Sequence, residues 1–177
     1  FYVLQFYKTH FFLIRLTAWF LSFPQSISIG GCVCSNESCF VIKSIEKTKW
    51  DSELKNIKNF QYQENFYESR EMHDLLVSFY KYGFVIIKNI PTSKNYIVEF
   101  ANSIGSVRRT NFGEYFNVKS KPDPNDLAYT SLALAPHTDN PYRNPVPCIQ
   151  LLHCIESKVS GGLSTLVDGF TVTEELR

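Results

Sequence analysis

The sequence predicts a mostly β fold, an antiparallel sandwich or barrel with flanking helices. Two observations lead to this class. After Arg109, short apolar segments follow one another with Pro, Gly, Asn and Asp between them and without an intervening helical pattern. Before Arg109, two segments carry apolar residues at helical spacing. A chain of 177 residues with 44% hydrophobic content is sufficient for one packed domain.

The helical segments come first in the chain. Within residues 68–82 apolar side chains recur at helical spacing, and Gly83 predicts a left-handed helix end. Residues 84–88 read as a short apolar strand. A second helix is expected to begin at the cap candidates Thr92 and Ser93 and to end at Gly105. The apolar residues that define the two helices are Met72, Leu75, Leu76, Phe79, Tyr80, Ile97, Phe100, Ala101 and Ile104.

The predicted strands lie in the second half of the chain. Pro, Gly, Asn and Asp residues separate them, as expected for the turns of an antiparallel fold. Thr171 and Glu174 have the spacing of a capping box, which predicts the start of a third helix. The expected strands are residues 116–119, 127–134, 148–155 and 163–167, with a turn at 160–162.

Residues 1–48 differ in character from residues 49–177, and we treat them as an N-terminal extension of unassigned role. Basic residues interrupt their apolar stretches, so none reaches the ~20 residues of a membrane span, and no membrane association is expected. Lys8 and Arg15 precede the apolar run 16–23, which leaves a targeting segment as an alternative. Because the chain does not begin with Met, we expect a fragment of a longer reading frame.

Charge and cysteine content exclude several function classes. The chain has 18 basic and 17 acidic residues, so its net charge of +1 gives no field that would favour nucleic acid or an anionic membrane. A small, specific ligand is the better expectation. The five cysteines lack the paired spacings of a structural zinc site or a disulfide framework. Cys148 and Cys154 are expected to be small buried hydrophobic residues.

His137 and Asp139 form the sharpest candidate site. Residues two apart on a strand project to the same side, so an imidazole and a carboxylate could bind one metal ion. This pair suits ferrous iron, and one further histidine would complete a facial triad with open positions for a cosubstrate and dioxygen. A His-x-Asp pattern alone also fits a hydrogen-bonded pair at a loop. The surrounding sequence has to distinguish that pair from a metal site.

Five segments in order supply that context: residues 125–130 (NDLAYT), 137–143 (HTDNPYR), 150–154 (QLLHC), 161–162 (GG) and 167–170 (VDGF). Together they resemble the gamma-butyrobetaine dioxygenase family, which belongs to the TauD/TfdA-like iron(II)- and 2-oxoglutarate-dependent oxygenases. The resemblance extends over about residues 50–177. It implies that residues 49–177 are the N-terminal part of such a dioxygenase domain, on an incomplete double-stranded β-helix, or jelly roll.

The resemblance implies roles for individual residues. His137 and Asp139 correspond to the first two iron ligands and to the catalytic centre. Ser164 falls where related enzymes place a hydroxyl on the 2-oxoglutarate carboxylate, and Leu152 would line the same pocket. The distal iron-ligand histidine and the arginine that pairs with 2-oxoglutarate normally lie downstream of residue 177. The chain alone is therefore expected to bind iron weakly and to turn over no substrate. The resemblance also allows ascorbate as a cofactor.

Three aromatic residues are the candidates for substrate binding. A trimethylammonium group cannot donate a hydrogen bond, and an aromatic face attracts it by about 0.5–2 kcal/mol. By resemblance, Phe112, Phe116 and Tyr129 fall on aromatic-cage positions of the family. Asp126 stands where the family often has an asparagine that helps to hold the substrate, and it could instead attract the cation directly. The alternative for the aromatic residues is an ordinary core.

The activity implied by the resemblance is the hydroxylation of gamma-butyrobetaine to carnitine, with iron(II), 2-oxoglutarate and dioxygen. A cytoplasmic protein that binds no nucleic acid is expected, and a homodimer is compatible with the resemblance. Dioxygenases of trimethyllysine or of a trimethylaminoethylphosphonate-type compound are the alternatives within this chemistry. Outside it, the alternative is a non-catalytic β-sandwich binding module in which His137 and Asp139 only pair with each other.

Other polar residues receive weaker assignments. His153 lies in a predicted apolar strand and is expected to be a core histidine with satisfied hydrogen bonds. Arg108 and Arg109 are expected to be a solvated loop pair. Asn140 and Arg143 follow the His-x-Asp motif closely and are expected to shape the entrance to the site.

Overall fold

The computed structural model describes residues 4–5, 11–16, 46–139, 141–144, 149–157 and 163–177. These residues contain strands and helices that alternate along the chain, together with two single turns of 3-10 helix at Phe66–Glu68 and Leu127–Tyr129. The strands and α-helices of the described residues are β1 (Leu4–Gln5), β2 (Phe11–Leu16), β3 (Asn59–Gln61), α1 (Arg70–Tyr82), β4 (Phe84–Lys88), α2 (Tyr96–Ile104), β5 (Ile149–His153), β6 (Thr165–Leu166) and α3 (Gly169–Glu175).

The strands form one four-stranded sheet and one short two-stranded sheet. The larger sheet has the order β3-β4-β2-β5, in which β2 runs antiparallel to both of its neighbours and β3 runs parallel to β4. The smaller sheet pairs β1 with β6, with Leu4 opposite Leu166. Strand β2 comes from the segment that the sequence assigned to an N-terminal extension, and it lies between β4 and β5. This segment therefore takes part in the sheet.

Strand β4 is buried on both faces of the sheet. Its first four residues, Phe84, Val85, Ile86 and Ile87, are at most 4% exposed. Successive side chains of a strand point to opposite faces, and the two core clusters divide accordingly. Val85 and Ile87 belong to the first cluster, whereas Phe84 and Ile86 belong to the second. The apolar run predicted for this strand is the pattern of a strand covered on both sides.

The first core lies where α1 and α2 pack against the sheet. Helix α1 begins at Ser69, whose Oγ accepts a hydrogen bond from the Met72 amide at 3.2 Å. It ends at Gly83, which has a φ of 79°, so the predicted left-handed helix end is confirmed. The two helices bring buried side chains together over one face of the sheet. The buried members of this core are Phe60, Phe66, Met72, Leu75, Val85, Ile87, Ile90, Tyr96 and Phe100.

The second core is organised around Trp50 and the buried carboxylate of Asp168. The Trp50 ring meets the Phe84 ring edge-on at a centroid distance of 5.2 Å, and its Nε1 donates to the Tyr82 carbonyl at 2.9 Å. Asp168 is 8% exposed. Its Oδ2 accepts from the Trp50 amide at 3.1 Å and from the Thr171 hydroxyl at 2.8 Å. The carboxylate thus joins two segments that are distant in sequence.

Asp168 also determines where α3 begins. Its Oδ1 accepts from the Phe170 amide at 3.2 Å, so Asp168 is the N-cap of this helix. The capping box predicted at Thr171 and Glu174 was therefore misplaced, because the helix starts upstream of it. The Thr171 hydroxyl is engaged by Trp50 and Asp168 instead. A third helix is present, but a different residue caps it.

The structure also corrects two predicted strands. Residues 116–119 form no strand, and residues 127–134 contain the 3-10 turn Leu127–Tyr129 instead of the extended segment expected. The Asp126 carboxylate caps this turn by accepting from the Ala128 amide at 2.9 Å. This local hydrogen bond favours a turn over a strand. The strands expected at 148–155 and 163–167 are present within narrower bounds, as β5 and β6.

The start of α2 was also predicted too early. Thr92 and Ser93 lie before the helix, whose N-cap is Asn95. The Ser93 carbonyl accepts from the Tyr96 amide at 3.1 Å, so this residue contributes a turn that leads into the helix. Gly105 ends α2 as predicted, but with an extended backbone rather than a left-handed one.

Several expectations concern residues outside the described part of the chain. They are residues 17–23 of the apolar run 16–23 in the possible targeting segment, the burial of Cys148 and the turn at 160–162. Cys154 is half-buried, and burial raises the pKa of its thiol. In the described ranges, no helix combines the length and the hydrophobicity needed to cross a bilayer.

Lys47 lies where the segment before Trp50 meets the end of α1. Its Nζ donates to the Tyr80 carbonyl at 3.3 Å and lies 4.5 Å from the centroid of the Tyr80 ring. Desolvation by burial lowers the pKa of Lys47 from 10.5 to about 8, and the nearby Asp168 charge opposes this shift. Between about pH 8 and pH 10.5, the Lys47 amine is protonated in the unfolded chain and deprotonated in the folded chain. Raising the pH through this interval therefore stabilises the fold at this position.

The buried carboxylate gives a first prediction. Replacing Asp168→Ala leaves the Trp50 amide without its acceptor and removes the cap of α3. We expect the free energy of unfolding to fall by about 1–3 kcal/mol in urea denaturation. Asp123→Ala, at an exposed loop position, is the control and should change it by less than about 0.5 kcal/mol. Equal stability of the two variants would contradict the role of Asp168.

The second prediction concerns pH. We expect the free energy of unfolding of the wild type to rise relative to that of Lys47→Met between pH 7 and about pH 9.5. The reason is that the wild type loses its buried charge in this interval. Urea denaturation at the two pH values measures this difference. Lys94→Met, at an exposed position, controls for the loss of a lysine. A difference that is the same at both pH values for Lys47→Met would show that burial does not depress this pKa.

Candidate active site

A tight turn before the candidate motif positions two aromatic rings. Thr110 and Gly113 exchange two backbone hydrogen bonds of 3.0 Å, and Gly113 has a φ of 93°, which favours glycine. The Thr110 hydroxyl accepts from the Phe112 amide at 3.1 Å. Beyond the turn, the rings of Phe112 and Phe116 lie 5.6 Å apart between centroids, and the two residues are 49% and 51% exposed. Two predicted cage residues thus lie together at the surface.

The third predicted cage residue, Tyr129, contacts a lysine. Its backbone carbonyl accepts from the Lys121 amide at 3.0 Å, which closes the loop between them. The Lys121 Nζ lies 3.9 Å from the centroid of the Tyr129 ring. One oxygen of Asp126 is used to cap the intervening 3-10 turn. In the described residues the aromatic contact at this site joins Phe112 and Phe116, and Tyr129 takes no part in it.

His137 and Asp139 come together in a loop. The sequence placed them on a strand, but the described residues around them form no strand, and Pro136 and Pro141 flank the motif. The distance between His137 Nε2 and Asp139 Oδ1 is 3.3 Å. His137 Nδ1 lies 2.7 Å from the Ala135 carbonyl oxygen. A carbonyl oxygen can only accept, so we assign the proton of the imidazole to Nδ1.

His137 Nε2 is therefore the ring nitrogen that faces the Asp139 carboxylate. A cation between these two atoms, whether a proton or a metal ion, is attracted by both of them. Two ligands at right angles around a metal, each with a bond of about 2.1 Å, are about 3.0 Å apart. The observed separation of 3.3 Å is close to this value. The carbonyl that orients the ring matches the usual outer partner of a metal-bound histidine.

The pair would supply two ligands of such a site. In the part of the chain that the structure describes, no third His, Cys, Asp or Glu joins them in a cluster that could hold a metal. His137 and Asp139 are 46% and 31% exposed at their side chains, so both are accessible to an ion. Their donor set, one imidazole and one carboxylate, fits ferrous iron, although the geometry alone fits other divalent ions as well.

Arg143 connects the metal motif to the aromatic pair. Its Nη2 donates to the Asn111 Oδ1, which lies next to Phe112 in the Thr110 turn. Its Nε is buried and makes no hydrogen bond within the described residues. The sequence placed Arg143 at the entrance to the site, and it did not predict this bridge. The Asn140 assignment lies outside the described residues.

Ser164 and Leu152 lie in or next to the sheets. Ser164 is half-buried directly before β6, and Leu152 on β5 packs against the second core. Among the described contacts, none joins either residue to His137 or Asp139, so their assignment to a 2-oxoglutarate pocket stays a prediction. His153 is half-buried on β5, where the sequence placed it, whereas Arg108 and Arg109 are exposed.

The sequence also did not predict the contact between Lys121 and Tyr129. This contact depends on the closed loop between them and on the cap at Asp126. A spacing of eight residues matches neither a helix nor a strand, so periodicity gives no sign of it. The Pro122 and Pro124 pair was the available signal, since it indicates a loop that folds back.

Comparisons with known proteins show the family to which the chain belongs. The family model described as "Taurine catabolism dioxygenase TauD, TfdA family" matches residues 45–177. The gamma-butyrobetaine dioxygenase of Pseudomonas sp. (strain AK-1) is 41% identical over 95 residues, which are 54% of this chain and 25% of that protein. The mitochondrial trimethyllysine dioxygenase of Homo sapiens is 35% identical over 115 residues, or 64% of this chain and 27% of that protein.

The gamma-butyrobetaine dioxygenase of Homo sapiens is 31% identical over 128 residues, 72% of this chain and 33% of that protein. The chain thus spans between about a quarter and a third of the length of these relatives. The family model covers the loop with His137 and Asp139, the aromatic pair and both described cores. The resemblance seen in the sequence is therefore confirmed, and the chain belongs to the taurine catabolism dioxygenase TauD, TfdA family.

Proposed function

We propose that the chain is part of an iron(II)- and 2-oxoglutarate-dependent dioxygenase on a jelly-roll fold. This dioxygenase hydroxylates a trimethylammonium compound. The observation that carries this proposal is the pair His137 and Asp139, whose Nε2 and Oδ1 atoms lie 3.3 Å apart in a member of the TauD, TfdA family. The contact of His137 Nδ1 with the Ala135 carbonyl supports a role as a metal ligand, because it leaves Nε2 to face the ion.

The residues of the chain hold and orient the reacting groups. When bound, iron(II) supplies the oxidative chemistry, in which 2-oxoglutarate is decarboxylated to succinate and one oxygen atom of dioxygen enters the substrate. His137 Nε2 and the Asp139 carboxylate would hold the ion, and the Ala135 carbonyl keeps the imidazole in the required orientation. In this proposal the Ser164 hydroxyl donates to the 2-oxoglutarate carboxylate and Leu152 lines its pocket, with ascorbate as an accessory reductant.

Aromatic residues would bind the cationic end of the substrate. Phe112 and Phe116 present half-exposed ring faces, and Tyr129 is already in contact with an ammonium group. A trimethylammonium group offers no hydrogen-bond donor, so ring faces are the chemistry that can select it. Asp126 lies next to the turn that carries Tyr129, and its exposed carboxylate adds negative charge near the cation.

The favoured substrate is gamma-butyrobetaine, with carnitine as its product. The relative at 41% identity carries the name gamma-butyrobetaine dioxygenase, and this supports the choice. Trimethyllysine is the second candidate, because relatives named for it match at 35% identity over a larger share of the chain. The two substrates share the trimethylammonium group and differ at the other end, where trimethyllysine carries an additional ammonium group.

The third prediction tests the metal ligands. We expect His137→Ala and Asp139→Ala each to weaken Fe(II) binding to the chain at least about tenfold in anaerobic titration, because each change removes a ligand. His73 and Asp74 form a matched control, since they are another exposed His–Asp pair, with Nδ1 and Oδ1 3.6 Å apart on α1. His73→Ala should leave the affinity unchanged. If His137→Ala and the wild type have the same affinity for Fe(II), the assignment of His137 as an iron ligand is wrong.

The fourth prediction tests turnover. In a chimera in which residues 45–177 replace the matching segment of the Pseudomonas sp. enzyme, we expect gamma-butyrobetaine to stimulate succinate release more than trimethyllysine does. The His137→Ala form of the chimera should reduce this release at least about a hundredfold. Preferential stimulation by trimethyllysine would reassign the substrate. A folded chimera that binds Fe(II) and responds to neither compound would contradict the proposed function.

A further inference from the structure

The ammonium group of Lys121 lies on the face of a residue assigned to substrate binding. Its Nζ is 3.9 Å from the centroid of the Tyr129 ring, the shortest distance between a lysine and an aromatic ring in the described residues. The other lysine–ring distances there range from 4.5 to 5.8 Å. The contact is therefore a close cation–π arrangement.

The backbone keeps Lys121 and Tyr129 next to each other. The Lys121 amide donates to the Tyr129 carbonyl at 3.0 Å, and the turn between them is capped by Asp126. The lysine side chain can therefore leave the ring and return without any change in the loop. In the part of the chain described, Lys121 forms no ion pair with the nearby Asp123 or Asp126. The ring of Tyr129 is its observed partner.

A ligand cation that uses the Tyr129 face has to displace this ammonium group. Two like charges repel each other at such a short separation, so they cannot share one ring face. A quaternary ammonium group is weakly hydrated and loses little when it leaves water for the ring. A primary ammonium group has three donors, like Lys121 itself, and has no advantage over a competitor that is already attached to the loop. Displacement is therefore easier for a quaternary ligand.

We propose that Lys121 is an internal competitor at the cation site. Its ammonium group occupies the Tyr129 face until a cationic ligand displaces it, and it thereby lowers the affinity of the site for every cation by the same factor. A quaternary ammonium ligand, which binds a ring face more strongly than a primary one, displaces it at a lower concentration. This inference rests on the proposed function, because it takes Tyr129 as part of the binding site. It adds a competitor within the chain to the aromatic residues that attract the substrate.

Nuclear magnetic resonance of the full 177-residue chain provides the test, with tetramethylammonium chloride as the probe. Ring currents of Tyr129 should displace the Lys121 Hε signals upfield of an ordinary exposed lysine. On titration with tetramethylammonium, these signals should return to the ordinary position, whereas equal concentrations of methylammonium chloride or sodium chloride should leave them in place. Lys81, whose Nζ lies 5.2 Å from the Tyr82 ring, is the matched control and should not respond.

Two substitutions give a second readout. Lys121→Met should bind tetramethylammonium about two- to fivefold more tightly, since the competing contact is gone. It should strengthen the binding of methylammonium by the same factor, because both ligands no longer have to displace the lysine. Lys121→Arg keeps a competing cation and should retain the wild-type affinity. Lys121 is exposed, so neither substitution is expected to disturb the fold.

The outcomes separate this inference from the proposed function. If tetramethylammonium shifts the ring signals of Phe112, Phe116 and Tyr129 but leaves Lys121 in place, the site stands and the role of Lys121 is wrong. Unchanged or weaker binding in Lys121→Met has the same meaning. If the probe shifts none of the three ring signals, the cation site fails, and the inference fails with it.

Discussion

The burial of strand β4 on both faces is the constraint on which the rest of the structure depends. Phe84, Val85, Ile86 and Ile87 alternate between the two cores, so each core takes two side chains from the same strand. Burying a side chain of this size contributes about 1.5–3 kcal/mol. Helices α1 and α2 cover this strand on one side. The two segments that contain Trp50 and Asp168 cover it on the other side. Gly83 makes this possible, because it turns the chain from α1 directly into the strand.

The candidate site is built differently from the core. Its side chains are half-buried or exposed, and local hydrogen bonds orient them: the Thr110 turn holds Phe112, and the Ala135 carbonyl holds His137. The Arg143–Asn111 hydrogen bond joins the loop with the metal motif to the loop with the aromatic pair. The loop with His137 and Asp139 and the loop with Phe112 and Phe116 are thus linked through one polar contact. In the proposed function, a metal cation and a substrate cation bind at these two neighbouring loops. Their charges therefore interact.

The sequence predicted the core better than the site, for physical reasons. The helix α1, its end at Gly83 and the strand β4 follow from apolar spacing and from glycine's tolerance of positive φ, and all three were confirmed. The strands predicted at 116–119 and 127–134 were wrong, and in the second segment the Asp126 cap outweighs the apolar pattern. His137 and Asp139 were predicted as a pair on a strand. They do pair, but the loop geometry that joins them depends on the Ala135 carbonyl, which no residue pattern encodes.

A crystal structure of the chain grown with Fe(II) under anaerobic conditions would show whether His137 and Asp139 bind one metal ion together. We expect anomalous scattering from a single iron within about 2.0–2.2 Å of both His137 Nε2 and an Asp139 carboxylate oxygen. The hydrogen bond from His137 Nδ1 to the Ala135 carbonyl should be unchanged. Iron bound elsewhere on the chain, with the two side chains still 3.3 Å apart and without an ion between them, would contradict this assignment.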